Sequence, residues 1–162
     1  MSKVLMVHPD RCTGCRNCEL ACTFFHENVF RPVVSRIHVF NWEQEGVSVP
    51  MTCQHCDDAP CVSVCPTGAM HRNPANNWVE WDNKACMRCK MCTIACPFGN
   101  AMFDAVTDSV VKCDMCKGAP ECVNFCPNKA IEYVDDTSAV RGRNRAFAAR
   151  FKDAFKDLEE VK

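Results

Sequence analysis

The stretch "DRCTGCRNCELACTFF" at residues 10–25 places four cysteines within eleven residues, at Cys12, Cys15, Cys18 and Cys22. Thiols spaced three residues apart on a tight loop point around a common centre. Disulfides need Cβ atoms that face each other at close range, so they suit this stretch poorly. The stretch is instead shaped to hold a bound group.

A similar pattern, with a middle gap of two to five residues, occurs four times along the chain, and the four copies account for all 16 cysteines. Each copy opens with C-x2-C and closes with C-x3-C, which indicates an internal repeat. Three of the four closing cysteines precede proline, whereas Cys22 precedes Thr23. The four motifs are Cys12, Cys15, Cys18 and Cys22; Cys53, Cys56, Cys61 and Cys65; Cys86, Cys89, Cys92 and Cys96; and Cys113, Cys116, Cys122 and Cys126.

This pattern resembles the bacterial ferredoxin motif C-x2-C-x2-C-x3-C-P, in which three thiolates hold one [4Fe–4S] cube and the fourth binds the other cube of a pair. With four thiols for each cube, the 16 cysteines predict four [4Fe–4S] clusters with no ligand missing and none spare. We expect each closing cysteine at the start of a helix, because the fixed φ and missing N–H of proline suit a first helical turn.

Zinc and disulfide frameworks are the alternatives to iron–sulfur clusters. Zinc ribbons use C-x2-C pairs that lie a dozen or more residues apart and need no third cysteine in the loop. The opening "MSKVLMVHPDRC" has only a short apolar stretch, and no apolar run in the chain approaches membrane-spanning length. We therefore expect a reducing, cytoplasmic location, where thiols serve metals better than disulfides. A net charge of −1 favours neither nucleic acid nor an anionic membrane as a partner.

The segments between the motifs predict short strands at "KVLMV", "RIHVF", "NWVEW", "NAMFDAV", "SVVKC" and "AIEYV". Together with helical turns at the closing cysteines, they predict an α+β fold of two ferredoxin-like lobes built from βαβ repeats. Because the second and third motifs lie between the first and fourth, we expect one lobe to be nested in the other. The predicted outer lobe is 1–48 with 107–136, and the inner lobe is 49–106.

The segment 137–162 differs from the rest because it contains no cysteine. Its apolar residues follow helical spacing at Phe147, Phe151, Phe155 and Leu158. This spacing predicts a C-terminal amphipathic helix for docking or assembly. Its apolar face either packs on the ferredoxin body of the same chain or binds another subunit or a second copy.

His55 lies between Cys53 and Cys56 in the second motif. A histidine here could donate a hydrogen bond to a cluster sulfur and tune its potential. We expect instead that it faces solvent on its loop.

The four motifs and the opening "VLMVHPDRCTGCRNCELAC" at residues 4–22 resemble the four-cluster iron–sulfur subunits of molybdenum and tungsten oxidoreductases, hydrogenases and carbon monoxide dehydrogenase. Over residues 1–136 the chain is most similar to the small polyferredoxin subunit of bacterial tungsten aldehyde oxidoreductase. The resemblance implies crossed ligand sets, in which each closing cysteine joins another motif. The implied sets are Cys12, Cys15 and Cys18 with Cys126; Cys113, Cys116 and Cys122 with Cys22; Cys53, Cys56 and Cys61 with Cys96; and Cys86, Cys89 and Cys92 with Cys65.

The resemblance also implies a non-catalytic subunit that relays single electrons between a catalytic tungsten or molybdenum oxidoreductase subunit and a flavoprotein or other acceptor. The sequence carries no Ser–His–Asp signature, no nucleotide-binding glycine loop and no unassigned cysteine. Carbon monoxide dehydrogenase, hydrogenase and molybdopterin enzymes are alternative partners. A free polyferredoxin without an obligate partner is a further alternative. A metal-stapled binding or scaffold module, with the C-terminal helix as its working surface, is the alternative from another class.

Overall fold

The structure, a computed structural model, describes residues 3–137 of the 162-residue chain. The predicted C-terminal helix therefore lies outside the described residues from residue 138 onward. The strands are β1 Lys3–Val7, β2 Ile37–Trp42, β3 Val47–Thr52, β4 Met70–Arg72, β5 Val79–Trp81, β6 Ala101–Asp104, β7 Ser109–Lys112 and β8 Ile131–Asp135. The α-helices are α1 Asn17–Glu27, α2 Pro60–Ser63, α3 Met91–Ala95 and α4 Glu121–Asn124.

The strands form antiparallel pairs, β1 with β8, β2 with β3, β4 with β5, and β6 with β7. The first pair joins the two ends of the described chain, with Lys3 opposite Asp135 and Val7 opposite Ile131. The predicted α+β class is confirmed. The predicted βαβ repeats differ from this architecture, because none of the strand pairs within residues 3–137 is the parallel pair that a βαβ crossover joins.

Each of the six predicted strand segments contains an observed strand, and β3 and β4 are the two that the sequence pattern did not predict. Strand β3 contains Pro50, which cannot donate to a ladder and so weakens a strand prediction. The structure accommodates Pro50 because β3 pairs with β2 alone and has a free edge. Strand β4 has only three residues, too few for alternation to be recognised.

The prediction that closing cysteines begin helices is wrong. In the last three motifs the third cysteine, Cys61, Cys92 or Cys122, lies in the short helix, and the closing cysteine follows the helix end. A residue before proline is disfavoured in the α region, so the helix must stop before a Cys-Pro pair. Cys22 precedes Thr23 instead, and α1 accordingly runs on through it to Glu27.

Two clusters of buried side chains form the core, and cysteines contribute to both. The first contains Leu5, Ile37, Val39, Met115 and Ile131 with Cys18, Cys22, Cys113 and Cys122. The second contains Ala59, Met70, Val79, Ala101 and Val110 with Cys92. The nested lobes and their borders stay a prediction, and the border between residues 48 and 49 falls inside β3. None of the helices in the described part of the chain has the length and hydropathy needed to cross a membrane.

Candidate metal centres

The cysteine loops share an unusual backbone conformation at the residue before the second cysteine. This residue has a positive φ in all four motifs, at Gly14, His55, Arg88 and Met115. A left-handed conformation costs a non-glycine residue roughly 1–2 kcal/mol, and it persists where the surrounding structure demands it, often at functional sites. In each motif this conformation bends the loop back on itself, so that the thiols of the first and second cysteines face the same side.

Gly14 is required by a close approach as well as by its φ of +67°. A Cβ built at this position would lie 2.8 Å from Oγ of Ser48 and 2.9 Å from Oδ1 of Asn41. The first cysteine loop thus packs directly on the β2–β3 hairpin.

The structure brings Cys12, Cys15 and Cys18 together with Cys126, and we call these four thiols group 1. They line one cavity of about 330 Å³, whose other walls include Val39, Pro50 and Ile131. The Ala130 amide donates a hydrogen bond to Sγ of Cys126 at 3.2 Å. The antiparallel pairing of β1 with β8 brings these distant segments of the chain together.

Group 2 consists of Cys113, Cys116, Cys122 and Cys22, which are all buried. Burial, with a smaller contribution from the neighbouring Cys22, raises the pKa of the Cys113 thiol to about 12 and that of Cys116 to about 11. The Arg36 amide donates to Sγ of Cys22 at 3.3 Å.

Group 3 consists of Cys53, Cys56, Cys61 and Cys96. Burial raises the pKa of the Cys56 and Cys61 thiols, and the neighbouring Cys53 and Cys96 raise both further. Cys96, the closing cysteine of the third motif, therefore lies beside the first three cysteines of the second.

Group 4 consists of Cys86, Cys89, Cys92 and Cys65. They line a second cavity, of about 320 Å³, together with Met70, Trp81 and Val110. The Met70 amide donates to Sγ of Cys65 at 3.3 Å. Burial opposes ionisation of Cys65, but this hydrogen bond and those from residues 67 and 69 lower its pKa overall.

The four groups follow one another in a row. Cys18 of group 1 packs in the first core cluster with Cys113 and Cys122 of group 2, and Cys53 of group 3 packs against that cluster. Cys61 of group 3 packs against the second core cluster, which contains Cys92 of group 4. All 16 cysteines fall within the described residues and none forms a disulfide. The two exposed cysteines, Cys15 and Cys89, belong to groups 1 and 4 at the two ends.

Comparison with known protein families gives two matches. The model of the 4Fe-4S dicluster domain matches residues 44–136, more than half of the chain, and that of the 4Fe-4S binding domain matches residues 9–24. The chain belongs to the 4Fe-4S dicluster family. All 16 cysteines lie within these two matched segments.

Two relatives of the chain are informative. The chain is 41% identical to the polyferredoxin-like subunit of aliphatic sulfonate oxidoreductase from Pyrococcus furiosus, over 75% of this chain and 70% of that protein. It is 31% identical to formate hydrogenlyase subunit 2 from Escherichia coli, over 98% of this chain and 94% of that protein. The fold is similar to a chain of the benzoyl coenzyme A reductase BamBC complex with benzoyl-CoA, with a TM-score of 0.50 and 23% identity over 98% and 96% of the two chains.

The thiol groups of this 4Fe-4S dicluster protein fit the cofactor that the family binds. Each group offers four sulfur atoms, which are the ligands of a [4Fe–4S] cube. Burial raises the pKa of most of the shifted thiols, to about 12 at Cys18, because an environment away from water disfavours the charged thiolate. A bound metal core supplies compensating positive charge and deprotonates coordinating thiols outright.

The prediction that His55 faces solvent is wrong. His55 is only 5% exposed, and its Nδ1 accepts a hydrogen bond from the Val79 amide at 3.0 Å. Burial, together with the cations Lys112 and Arg72, lowers the pKa of His55 to about 3. The positive φ of His55 turns its side chain inward, and single-residue backbone conformation is not visible in a cysteine spacing.

His26 is a further residue at the thiol groups that the sequence reasoning missed. Its Nε2 lies 3.7 Å from Sγ of Cys116 and 3.3 Å from Oδ1 of Asp114. The signal was present, because His26 follows Cys22 by one helical turn on α1 and so shares its face. These three residues could hold a metal ion, but Cys116 already belongs to group 2.

Proposed function

We propose that the chain is a non-catalytic electron-transfer subunit that relays single electrons through four [4Fe–4S] clusters, one for each thiol group. The observation that carries this proposal is the row of four groups, which uses all 16 cysteines and has its exposed cysteines at the two ends. Each cube, when bound, accepts one electron at a potential set by hydrogen bonds to sulfur, burial and net charge. Four such centres in series make a path for electrons across the protein.

The proposed ligands are the members of the groups. Group 1 is Cys12, Cys15, Cys18 and Cys126; group 2 is Cys113, Cys116, Cys122 and Cys22; group 3 is Cys53, Cys56, Cys61 and Cys96; and group 4 is Cys86, Cys89, Cys92 and Cys65. The shared cavities of groups 1 and 4 support the crossed sets directly, since each contains the closing cysteine of another motif. The nested arrangement follows, with groups 1 and 2 in the outer lobe and groups 3 and 4 in the inner lobe.

The protein around these groups donates hydrogen bonds to the cysteine sulfurs and excludes water from them. Apolar side chains such as Val39, Ile131 and Met70 wall the cavities. Backbone amides of Arg36, Met70 and Ala130 donate to closing-cysteine sulfurs, and hydrogen bonds to sulfur stabilise negative charge there. Electrons would enter and leave near Cys15 and Cys89, where the thiols reach the surface.

We infer that the catalytic partner is a tungsten or molybdenum oxidoreductase subunit, with tungsten aldehyde oxidoreductase as the first candidate. The Pyrococcus furiosus relative supports this, because it is named as the polyferredoxin-like subunit of an oxidoreductase. A flavoprotein or other acceptor would take electrons at the opposite end of the row. The relative in formate hydrogenlyase supports a second candidate partner, a hydrogenase-type complex. The setting that we propose is the cytoplasm, and the segment 138–162 would serve docking or self-association.

Anaerobic purification of the native protein from its host tests this proposal, with iron and sulfide analysis and mass spectrometry of whatever stays attached. We expect a dark brown protein with four clusters that remains bound to a large metal-cofactor oxidoreductase through size exclusion. A colourless, zinc-loaded protein would overturn the electron-transfer function in favour of a metal-stapled scaffold. An iron-loaded protein that elutes alone would overturn the subunit assignment and leave a mobile polyferredoxin.

A further inference from the structure

Lys112 is a buried cation beside Cys113 of group 2. It ends strand β7, immediately before Cys113, and is only 6% exposed. Its Nζ donates hydrogen bonds to the carbonyl oxygens of Val79 at 2.6 Å and Cys113 at 3.1 Å. None of the ion pairs within residues 3–137 includes it. An ammonium group taken out of water is costly unless an opposite charge compensates it.

The groups around Lys112 show where that opposite charge would come from. Lys112 directly precedes Cys113 of group 2, and its Nζ bonds the carbonyl of Val79, whose amide donates to His55 within the second motif, so Lys112 lies between groups 2 and 3. Two further cations lie nearby. The Nε of Arg36 donates to the Lys112 carbonyl at 3.1 Å, and Arg72 donates to the carbonyl oxygen of Cys56. The thiol groups are therefore the natural source of compensating negative charge.

The peptide of Val79 joins Lys112 to the second motif. Its carbonyl accepts from Lys112, and its amide donates to Nδ1 of His55, between Cys53 and Cys56. Since Val79 is itself only 1% exposed, this junction between groups 2 and 3 is closed to water. A charge in such a place is screened much less than a charge at the surface.

We propose that Lys112 is the shared counter-cation of the two central clusters and raises the reduction potential of both relative to a neutral residue at this position. This inference rests on the proposed function, because it needs clusters at groups 2 and 3. Reduction adds negative charge to a cluster that four thiolates already make negative, and a fixed buried cation favours that step. Lys112 would thus make the two central clusters, at groups 2 and 3, easier to reduce.

The competing explanation is purely structural, since Lys112 also ties β7 to β5 through the Val79 carbonyl. Loss of that bond would lower stability but would not move a midpoint potential. The test therefore compares Lys112→Met and Lys112→Gln, which remove the charge, with Lys112→Arg, which keeps it. Lys84→Met is the matched control, because Lys84 is exposed and stands two residues before Cys86. Lys112→Gln retains a hydrogen-bond donor and keeps the test available if the methionine variant loses iron.

The measurement is a redox titration of the full-length holoprotein, followed by electron paramagnetic resonance, with iron content determined for each variant. In the neutral variants we expect two of the four midpoint potentials to fall by at least about 59 mV each. For a one-electron couple, this shift corresponds to a tenfold weaker reduction equilibrium. We expect no such shift in Lys112→Arg or Lys84→Met.

Three results would overturn the inference while leaving the proposed function intact. These are four unchanged midpoints in an iron-replete neutral variant, an equal shift of all four midpoints, and a shift in Lys112→Arg as large as that in Lys112→Met. A wild-type protein without iron–sulfur clusters would overturn both proposals.

Discussion

Oε1 of Glu19 accepts a hydrogen bond from the Val39 amide at 2.6 Å. This contact joins helix α1 to strand β2, and Glu19 is only 3% exposed. Helix α1 also carries Cys18 of group 1 and Cys22 of group 2. The hydrogen bond therefore holds in place a helix that serves two neighbouring thiol groups.

Replacing Glu19 by alanine should lower the free energy of unfolding of the holoprotein by about 1–3 kcal/mol, because it leaves the buried Val39 amide without an acceptor. Glu19→Gln keeps an acceptor and should cost less. Glu43→Ala, at an exposed position of the β2–β3 turn, should stay within about 0.5 kcal/mol of wild type. Anaerobic denaturant unfolding followed by cluster absorbance measures all three. Equal stability of the alanine variant and wild type would contradict this role.

The crossed ligand sets predict which thiols a cysteine substitution releases. Cys22→Ser should expose Cys113, Cys116 and Cys122 to an alkylating reagent under native anaerobic conditions, because they would lose their cluster. The cysteines of its own motif, Cys12, Cys15 and Cys18, should stay protected. Peptide mass spectrometry of the alkylated protein reads the outcome.

Cys126→Ser is the reciprocal control for this experiment. It should release Cys12, Cys15 and Cys18 and leave Cys113, Cys116 and Cys122 protected. Alkylation confined to the motif that carries the substitution, in either variant, would show that the sets are not crossed.

The ion pair between Arg31 and Asp104 should stabilise the protein in a pH-dependent way. Burial opposes ionisation of Asp104, but hydrogen bonds from the Thr107 hydroxyl and the Val106 amide, together with Arg31, lower its pKa from 3.8 to about 2. A lowered carboxyl pKa contributes stability that is present above the unfolded pKa and is lost as pH falls through the folded one.

The Asp104→Asn variant should therefore unfold several-fold faster than wild type at neutral pH, and the difference should shrink between about pH 4 and pH 2. Unfolding rates after rapid pH jumps measure it. Asp108→Asn is a control, because Asp108 pairs with Arg88 at an exposed site and should matter little. A rate difference that persists unchanged to pH 2 would disprove the assignment.

Deleting residues 138–162 should lower the mass of the purified complex by more than the mass of the deleted residues, because a bound subunit or second copy is lost. Iron should stay bound, because all 16 cysteines lie before this segment. Light scattering coupled to size exclusion, with iron analysis, measures both quantities. In the full chain, Phe151→Asp with Phe155→Asp should have the same effect, whereas removal of residues 159–162 should not. If the mass of the complex falls only by the mass of the deleted residues, the segment serves neither docking nor self-association.

Much of this protein could be predicted from local spacing. The repeated C-x2-C and C-x3-C segments led to the 4Fe-4S family, and the runs of apolar and β-branched residues predicted six of the eight strands found within residues 3–137. These properties depend on residues within a few positions of one another, so they can be recognised directly in the sequence. The Cys-Pro pairs were equally visible, but they end helices rather than begin them, since the residue before proline avoids the α region.

Tertiary structure decided the properties that depend on distant residues meeting. Cys126 reaches the cavity of Cys12 because β8 pairs with β1. His55 accepts a hydrogen bond from Val79 of the β4–β5 hairpin, and the charge of Lys112 becomes internal only when β7 packs beside β5. The sequence by itself determined which thiols exist and which of them share a loop. Only the folded chain determined which loops share a centre and which charges they face, because burial and proximity arise from packing and not from spacing.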